Sequence, residues 1–213
     1  MAPVLGLVLA GGLSRRMGGG DKPLLQLGGR SLLDRVLTRL MPQCPAGVVL
    51  NANGDPARFS GFPGRIVPDD LPDRPGPLAG ILAGLDHAAR QHPDVAAVVS
   101  VTGDVPFLPG DLVARLSAAR GDGSAAMAAS DGRQHYTIAL WAVSLRHDLR
   151  EALVVRGERR VGAFLDQCGA AIAAWPCEPV DPFANVNTPG DLADAEALLA
   201  RFGEGADAVD ADG

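Results

Sequence analysis

Short apolar runs alternate with longer helix-type patterns along this chain, and that alternation limits its possible folds more than any other feature. Residues 4–10 read as a first strand that is apolar throughout, as expected of a strand buried on both faces. Leucines at helical spacing follow over residues 31–41, where Ser31 and Asp34 have the spacing of a capping box. Strands and helices in alternation predict a mostly parallel sheet that is covered by helices.

The same patterns locate the remaining elements. Strands are predicted at Val48–Asn51, Arg65–Val67, in the apolar run from Val95 that stops at Gly103, at Ala125–Ser130, at 136–143 and at Ala171–Trp175. Helices are predicted near 78–91, 145–155 and 159–168, and from Pro189 onward behind the cap residue Thr188. No helix separates the two strands that flank "DGRQH", so the second of them is expected to be antiparallel. Residues 1–202 are therefore expected to form one α/β domain.

Composition excludes several classes of protein. The net charge of -6 argues against nucleic acid as a partner, because surfaces that bind nucleic acid are usually basic. No apolar stretch reaches the roughly 18 residues that a membrane span needs. Three scattered cysteines form neither a disulfide framework nor a C-x-x-C metal site, so we expect a reducing, cytoplasmic location. Residues 203–213 are acidic and lack apolar periodicity, which predicts a disordered tail.

The first strand is followed by "LAGGLSRRMGGGDK", a glycine-rich loop with positive charge. It is not a P-loop, because Lys22 is followed by Pro23 and not by Ser or Thr. Its glycines do not fit G-x-G-x-x-G either. Backbone N–H groups together with Arg15, Arg16 and Lys22 nevertheless suit phosphate oxygens. We interpret the segment as a nucleotide loop of another kind.

Polar residues also follow the other predicted strands. They are the "NAN" segment 51–53, the pair Asp69 and Asp70, Asp104 of "TGDVP", and the "NVNTP" segment 185–189. In parallel α/β sheets the carboxyl ends of the strands form the ligand-binding edge, so these groups should lie near the glycine-rich loop. Carboxylates do not contact phosphate directly and imply a cation between them. Mg²⁺ is favoured, because it joins one or two carboxylates to phosphate oxygens and water.

These segments together resemble a known family. "LAGGLSRRMGGGDKPLLQLGGRSLLDRV" is similar to the signature of nucleotidyltransferases with a Rossmann-like sheet. "NAN", "PGPLAGILAGL", "TGDVPFLP", "TIALW", "GERRV" and "NVNTP" resemble, in this order, the molybdenum cofactor guanylyltransferases. The similarity runs from Leu7 to Leu199, and it implies a single Rossmann-like three-layer sandwich.

The resemblance also implies roles for individual residues. The nucleotide-binding positions that it implies are Leu9, Ala10, Gly11, Gly12, Lys22, Asn51, Asp69 and Asp104. Lys22 and Arg16 would stabilise charge on the leaving pyrophosphate, and Asp104 would hold Mg²⁺. Candidates for the pterin side are Gly76, Gly80, Arg159, Asn185 and Asn187.

The implied reaction transfers GMP from GTP to the terminal phosphate of the molybdenum- or tungsten-bound pterin and releases pyrophosphate. The expected partners are GTP and the molybdopterin cofactor, with transient contacts to proteins that supply or receive it, and we expect a monomer. "LAGG" favours GTP, because the related cytidylyltransferases tend to have alanine at the first of the two glycine positions. Guanine needs an acceptor for its N1–H and amino group, and a group near Gly12, Asn51 or Asp69 would serve.

Other interpretations are open at this stage. One is a nucleotidyltransferase that uses CTP or another phosphorylated acceptor, and a second is a non-catalytic carrier of the pterin. A carrier has no need of phosphoryl-transfer charge, so Lys22 and Asp104 argue against it. Arg16 and Arg159 would also suit a solvated surface, and Asn185 and Asn187 would also suit a helix cap.

Three aromatic or basic side chains have plainer interpretations. His135, beside the "YTIAL" strand, could approach the pterin, but it is expected to be a plain loop histidine. Trp141 and Trp175 are expected to be core residues, since both lie in predicted strands.

Overall fold

The computed structural model describes residues 3–11, 21–71 and 76–203, and a seven-stranded sheet lies at its centre. The strands of this sheet are β1 (Val4–Leu9), β4 (Val48–Asn51), β5 (Arg65–Val67), β6 (Ala97–Thr102), β7 (Ala125–Ser130), β8 (Arg133–Ala142) and β9 (Ala171–Trp175). A separate two-stranded ribbon is formed by β2 (Gln26–Leu27) and β3 (Arg30–Ser31).

The order of strands across the sheet is β5-β4-β1-β6-β8-β7-β9. β1 pairs in parallel with β4 and β6, β4 with β5, and β7 with β9. Only β8 among the described strands of this sheet runs the other way, antiparallel to both of its neighbours. The predicted fold class, a mostly parallel sheet with one antiparallel strand, is confirmed.

The connection before β8 is shorter than predicted. Asp131 and Gly132 both have positive φ, +46° and +73°, and form a two-residue turn, so β8 already begins at Arg133. Such a turn matches the twist of an antiparallel pair, which is why "RQH" belongs to the strand and not to the loop.

Helices cover both faces of the sheet. They are α1 (Leu32–Leu40), α2 (Pro77–Gln91), α3 (Leu112–Arg120), α4 (Arg146–Val154), α5 (Val161–Gln167) and α6 (Pro189–Phe202). α1 and α3 pack on one face and α2, α4 and α5 on the other, which gives two separate apolar cores. α3 was not predicted, because arginine and alanine interrupt its apolar stripe and leave only a weak periodicity.

α6 belongs to a third, smaller core near the ribbon. Leu27, Phe107, Val180 and Val186 are buried there together with Ala195 of α6. This cluster fixes the segment before α6 against the end of the sheet. The predicted tail lies, apart from Gly203, outside the described residues.

Local capping signals agree with the sequence at α6 and partly at α1. Thr188 accepts from the N–H of Asp191, whose carboxylate accepts from the Thr188 N–H in return, so the capping box is complete. At α1 the Ser31 hydroxyl accepts from the Asp34 N–H, but Asp34 accepts from the Ser31 hydroxyl and not from its backbone. No helix in the described part of the chain is long and apolar enough to cross a membrane.

Candidate active site

The end of β1 lies between two neighbouring strands whose polar residues were predicted to meet. The Ala10 N–H donates to the Asn51 carbonyl of β4 at 2.9 Å, and the Gly103 N–H donates to the Leu9 carbonyl at 3.1 Å. Gly11 follows as an exposed residue. Gly12 and Arg16 lie outside the described residues, so the roles implied for them remain predictions.

Lys22 lies at the centre of this edge. It begins a short 3-10 turn, Lys22–Leu24, and its ammonium group donates to the Asp104 carboxylate and to the Asn187 amide oxygen. The side chains of Lys22 and Asp104 are only 14% and 15% exposed. Three predicted site residues from distant parts of the chain therefore meet at one ammonium group.

The segment that carries Asn187 is docked onto Asp104 by its backbone. The Val186 N–H donates to the Asp104 carbonyl at 3.0 Å, and the Val186 side chain is buried in the third core. The Asn187 N–H donates to the Asp191 carboxylate at 2.7 Å. Backbone hydrogen bonds from Asn187 and Thr188 lower the pKa of Asp191. Asn187 is thus held between the cap of α6 and Lys22.

Asp104 has one carboxylate oxygen that Lys22 does not use. Oδ1 is buried and has no hydrogen-bond partner in the described part of the chain. Buried carboxylate oxygens are normally satisfied, so this atom is suited to an additional cation. Within residues 3–11, 21–71 and 76–203 no three His, Cys, Asp or Glu side chains gather as a metal site. Phosphate and water commonly complete the coordination of Mg²⁺, and they would suit a metal held by Asp104 Oδ1.

Asp69 forms a second polar cluster at the same edge. Its Oδ1 accepts from the Asn51 amide at 2.9 Å and its Oδ2 from the Asn53 amide at 2.8 Å. The Asn51 amide also donates to the Val67 carbonyl at 3.0 Å. Asp70 lies outside this cluster and forms a 3.8 Å ion pair with Arg90. The structure therefore joins Asp69, and not Asp70, to the "NAN" segment.

Gly80 supports the Asn51 side chain from behind. A Cβ on this α2 residue would lie 2.2 Å from Asn51 Oδ1 and 2.9 Å from a Leu9 methyl group. Gly80 is itself buried, so its position is that of a packing residue beneath the site. Gly76 caps α2 with a φ of +85°, a conformation that favours glycine.

Arg58 belongs to the site, although it was not predicted from the sequence. Its guanidinium donates to Asp21 Oδ1 at 2.6 Å and to the Asn53 carbonyl at 2.5 Å. It therefore connects the residue before Lys22 with the residue that holds Asp69. No motif marks Arg58 in the sequence, because its importance depends on a contact with a residue 37 positions away.

The remaining described candidates make no hydrogen bond to Lys22. Arg159 and Asn185 are exposed, and Arg159 precedes α5. His135 is buried in β8, where its Nε2 and the Ser130 hydroxyl are 2.7 Å apart, so the prediction of a loop histidine is wrong. Burial is the main cause that lowers the pKa of His135. Trp141 and Trp175 are buried, as predicted.

The sequence of this chain is similar to a family of known proteins. Residues 6–171 match the model of the MobA-like NTP transferase domain. The chain is 56% identical over 199 residues to the molybdenum cofactor guanylyltransferase of Bradyrhizobium sp. (strain ORS 278), covering 92% of this chain and 93% of the relative. It is 51% identical over 203 residues to the molybdenum cofactor guanylyltransferase of Nitrobacter hamburgensis, covering 94% and 97%.

Solved structures share the fold. The molybdopterin-guanine dinucleotide biosynthesis protein A of Archaeoglobus fulgidus superposes with a TM-score of 0.70 at 24% identity, covering 92% of this chain and 99% of the other. The 4-diphosphocytidyl-2C-methyl-D-erythritol synthase of Anaerococcus prevotii superposes with a TM-score of 0.68 at 15% identity, covering 93% and 96%. At these identities the likeness concerns the fold alone.

Proposed function

We propose that this chain, which belongs to the family of MobA-like NTP transferase domains, is a molybdenum cofactor guanylyltransferase. It transfers GMP from GTP to the terminal phosphate of the molybdopterin cofactor, giving the guanine dinucleotide form and pyrophosphate. Near full-length similarity to several guanylyltransferases supports this reaction. It also favours GTP over the CTP alternative, and an enzyme over a carrier.

The observation that carries the proposal at the level of the site is the meeting of Lys22, Asp104 and Asn187. A cation and a carboxylate that are both largely shielded from water form a strong local field at the edge of the sheet. Phosphoryl-transfer enzymes need such fixed charge, because their substrates are anions that repel each other.

Mg²⁺ is the metal that we propose for Asp104. The buried Oδ1 of Asp104 suits a hard cation. Mg²⁺ held there would neutralise phosphate charge and polarise the α-phosphorus. Lys22 then stabilises the negative charge on the leaving pyrophosphate. Arg16 is proposed for the same task, on the strength of the resemblance.

The attacking phosphate of the pterin needs little activation by the protein. A phosphate monoester has a second pKa near ~6, so it is largely ionised at neutral pH, and no general base is required. The work of the site is to bring two anions together and to stabilise the charge that develops on pyrophosphate. Asn187 orients the Lys22 ammonium for this purpose.

The pterin side is assigned to Gly76, Gly80, Arg159, Asn185 and Asn187 by resemblance. Gly80 is buried against Asn51, so its contribution to this side is to pack beneath the Asn51 side chain. We further propose a cytoplasmic monomer that makes transient contacts with proteins that supply or receive the cofactor. The three cysteines are free, in keeping with a reducing compartment.

One assay tests the reaction. The purified chain is incubated with Mg²⁺, the pterin cofactor and either GTP or CTP, and pyrophosphate is measured. Release that requires both GTP and the pterin supports the proposal. Pyrophosphate release with CTP but not with GTP would assign the chain to the cytidylyltransferases. No release with either nucleotide would favour a carrier.

A further inference from the structure

Asn53 and Asp69 form a reciprocal pair that the mechanism above does not use. The Asn53 amide donates to Asp69 Oδ2 at 2.8 Å, and its Oδ1 accepts from the Asp69 backbone N–H at 2.9 Å. Both ends of one amide thus hold the same aspartate, through its side chain and its backbone. Asn53 therefore fixes where the carboxylate lies and how it is turned.

The carboxylate of Asp69 keeps unused acceptor capacity. Each of its oxygens accepts one amide hydrogen bond, from Asn51 on Oδ1 and from Asn53 on Oδ2. A carboxylate oxygen offers about two acceptor positions, so each oxygen can take one more donor. Two parallel acceptors match the N1–H and the 2-amino group of guanine, whereas hypoxanthine lacks the amino group.

Asn53 is itself held in place from the other side. Its carbonyl accepts from Arg58, whose guanidinium also pairs with Asp21 next to Lys22. Gly54, which follows Asn53, has a φ of +89°. The backbone of Asn53 is thus connected to the phosphate-binding part of the site, and it fixes the point from which the side chain reaches Asp69.

We propose that Asn53 is a positioning residue for base selection, which holds the Asp69 carboxylate in the orientation that accepts both donors of guanine. This inference rests on the proposed use of GTP. The inference goes beyond the use of GTP, because it assigns the selectivity for the 2-amino group to a residue that does not contact the base.

The test compares the binding of GTP and of ITP, which lacks only the 2-amino group, to the full chain by calorimetry. One hydrogen bond to a charged acceptor predicts that the wild type prefers GTP by roughly 10- to 100-fold. In Asn53→Ala this preference should fall to within about threefold, because GTP loses more affinity than ITP does. Asn53→Asp removes the donor but keeps the acceptor for the Asp69 N–H, and it should reduce the preference in the same way.

Asp70→Asn is the matched control, because it alters the adjacent carboxylate, which pairs with Arg90 outside the cluster. It should retain the wild-type preference. A wild-type preference that persists in both Asn53 variants overturns the inference, and so does an equal loss of GTP and ITP affinity. A wild type that binds both nucleotides equally overturns it as well, whereas failure to bind either nucleotide overturns the proposed function instead.

Discussion

The ammonium group of Lys22 is bonded to the carboxylate of Asp104, although the two residues are 82 positions apart. The contact joins the turn after the glycine-rich loop to the end of β6, and Asn187 completes it from the start of α6. In a P-loop the lysine and the metal-binding hydroxyl are neighbours in sequence. Here the proposed metal ligand comes from a different strand.

Removal of either charge should slow the reaction without unfolding the chain. We expect Lys22→Ala and Asp104→Ala each to lose about 10²–10³-fold in kcat, or roughly 3–4 kcal/mol. The proposed reason is that Lys22 stabilises the charge that develops on pyrophosphate and that Asp104 holds the Mg²⁺ that neutralises phosphate charge. Pyrophosphate release under saturating GTP measures the effect. Activity within a few-fold of wild type would remove that residue from the proposed role.

The single lysine of this chain offers a direct probe of the site, because Lys22 is the only lysine among the 213 residues. An amine-reactive reagent that labels side chains should therefore modify one position, which peptide mass spectrometry identifies. GTP with Mg²⁺ should protect Lys22, because phosphate then covers its ammonium group. Equal labelling with and without nucleotide would contradict contact between Lys22 and the phosphates. Lys22→Arg shows the background from the N-terminal amine.

Asn187→Ala should lower kcat more than it raises the KM for GTP, because it frees the ammonium of Lys22 from one of its two acceptors. A hydrogen bond to a charged group is worth about 1.5–3 kcal/mol, so a loss of roughly 10-fold or more is expected. The exposed Asp194 of α6 provides a control as Asp194→Ala. Equal effects of the two variants on kcat would leave Asn187 without this role.

Gly80→Ala should destabilise the fold, against the normal preference of helices for alanine. In an unobstructed helix this change stabilises by up to about 1 kcal/mol, but here the new Cβ would lie 2.2 Å from Asn51 Oδ1. We expect a net loss of roughly 1–3 kcal/mol in the free energy of unfolding in urea. Gly61→Ala, where a Cβ would meet nothing within 4 Å, is the control. A stabilised Gly80→Ala protein would contradict the packing described here.

The stability of the protein should fall as the pH drops below neutrality, partly through His135. Burial is the largest cause that lowers the pKa of His135 from 6.5, so the unfolded chain binds the proton at higher pH than the folded chain. This contribution is therefore present above pH 6.5 and is lost as the pH falls through the folded-state pKa. His135→Asn should show a smaller decline in the free energy of unfolding between pH 8 and about pH 5. Parallel declines in the two proteins would contradict this assignment.

Much of the fold could be predicted because it depends on neighbours in the sequence. Val48–Asn51 and Ala171–Trp175 were predicted with their observed bounds, since continuous apolar runs end at polar or turn residues. The cap residue Thr188 lies within one helical turn of Asp191, and it too was predicted. α3 was missed because its weak stripe becomes a helix face only when β7, β8 and β9 pack against it.

Most residues of the candidate site could be predicted, but Arg58 and the contacts between the residues could not. Asp104 and Lys22 were marked by their places after strands. The reciprocal pair of Asn53 and Asp69, the bridging role of Arg58 and the packing role of Gly80 were not, because each depends on atoms brought together by the sheet.

The type of fold, the edge of the sheet where polar groups collect, and the resemblance to a family all follow from the amino-acid sequence alone. Periodicity, caps and strand ends are local properties, and they survive without knowledge of the packing. The packing of the chain was needed to show that Lys22 binds Asp104 and Asn187, and that Asp69 rather than Asp70 joins Asn51 and Asn53. Hydrogen bonds require atoms within about 3 Å, and over separations of 82 and 165 residues only the packed core sets that distance.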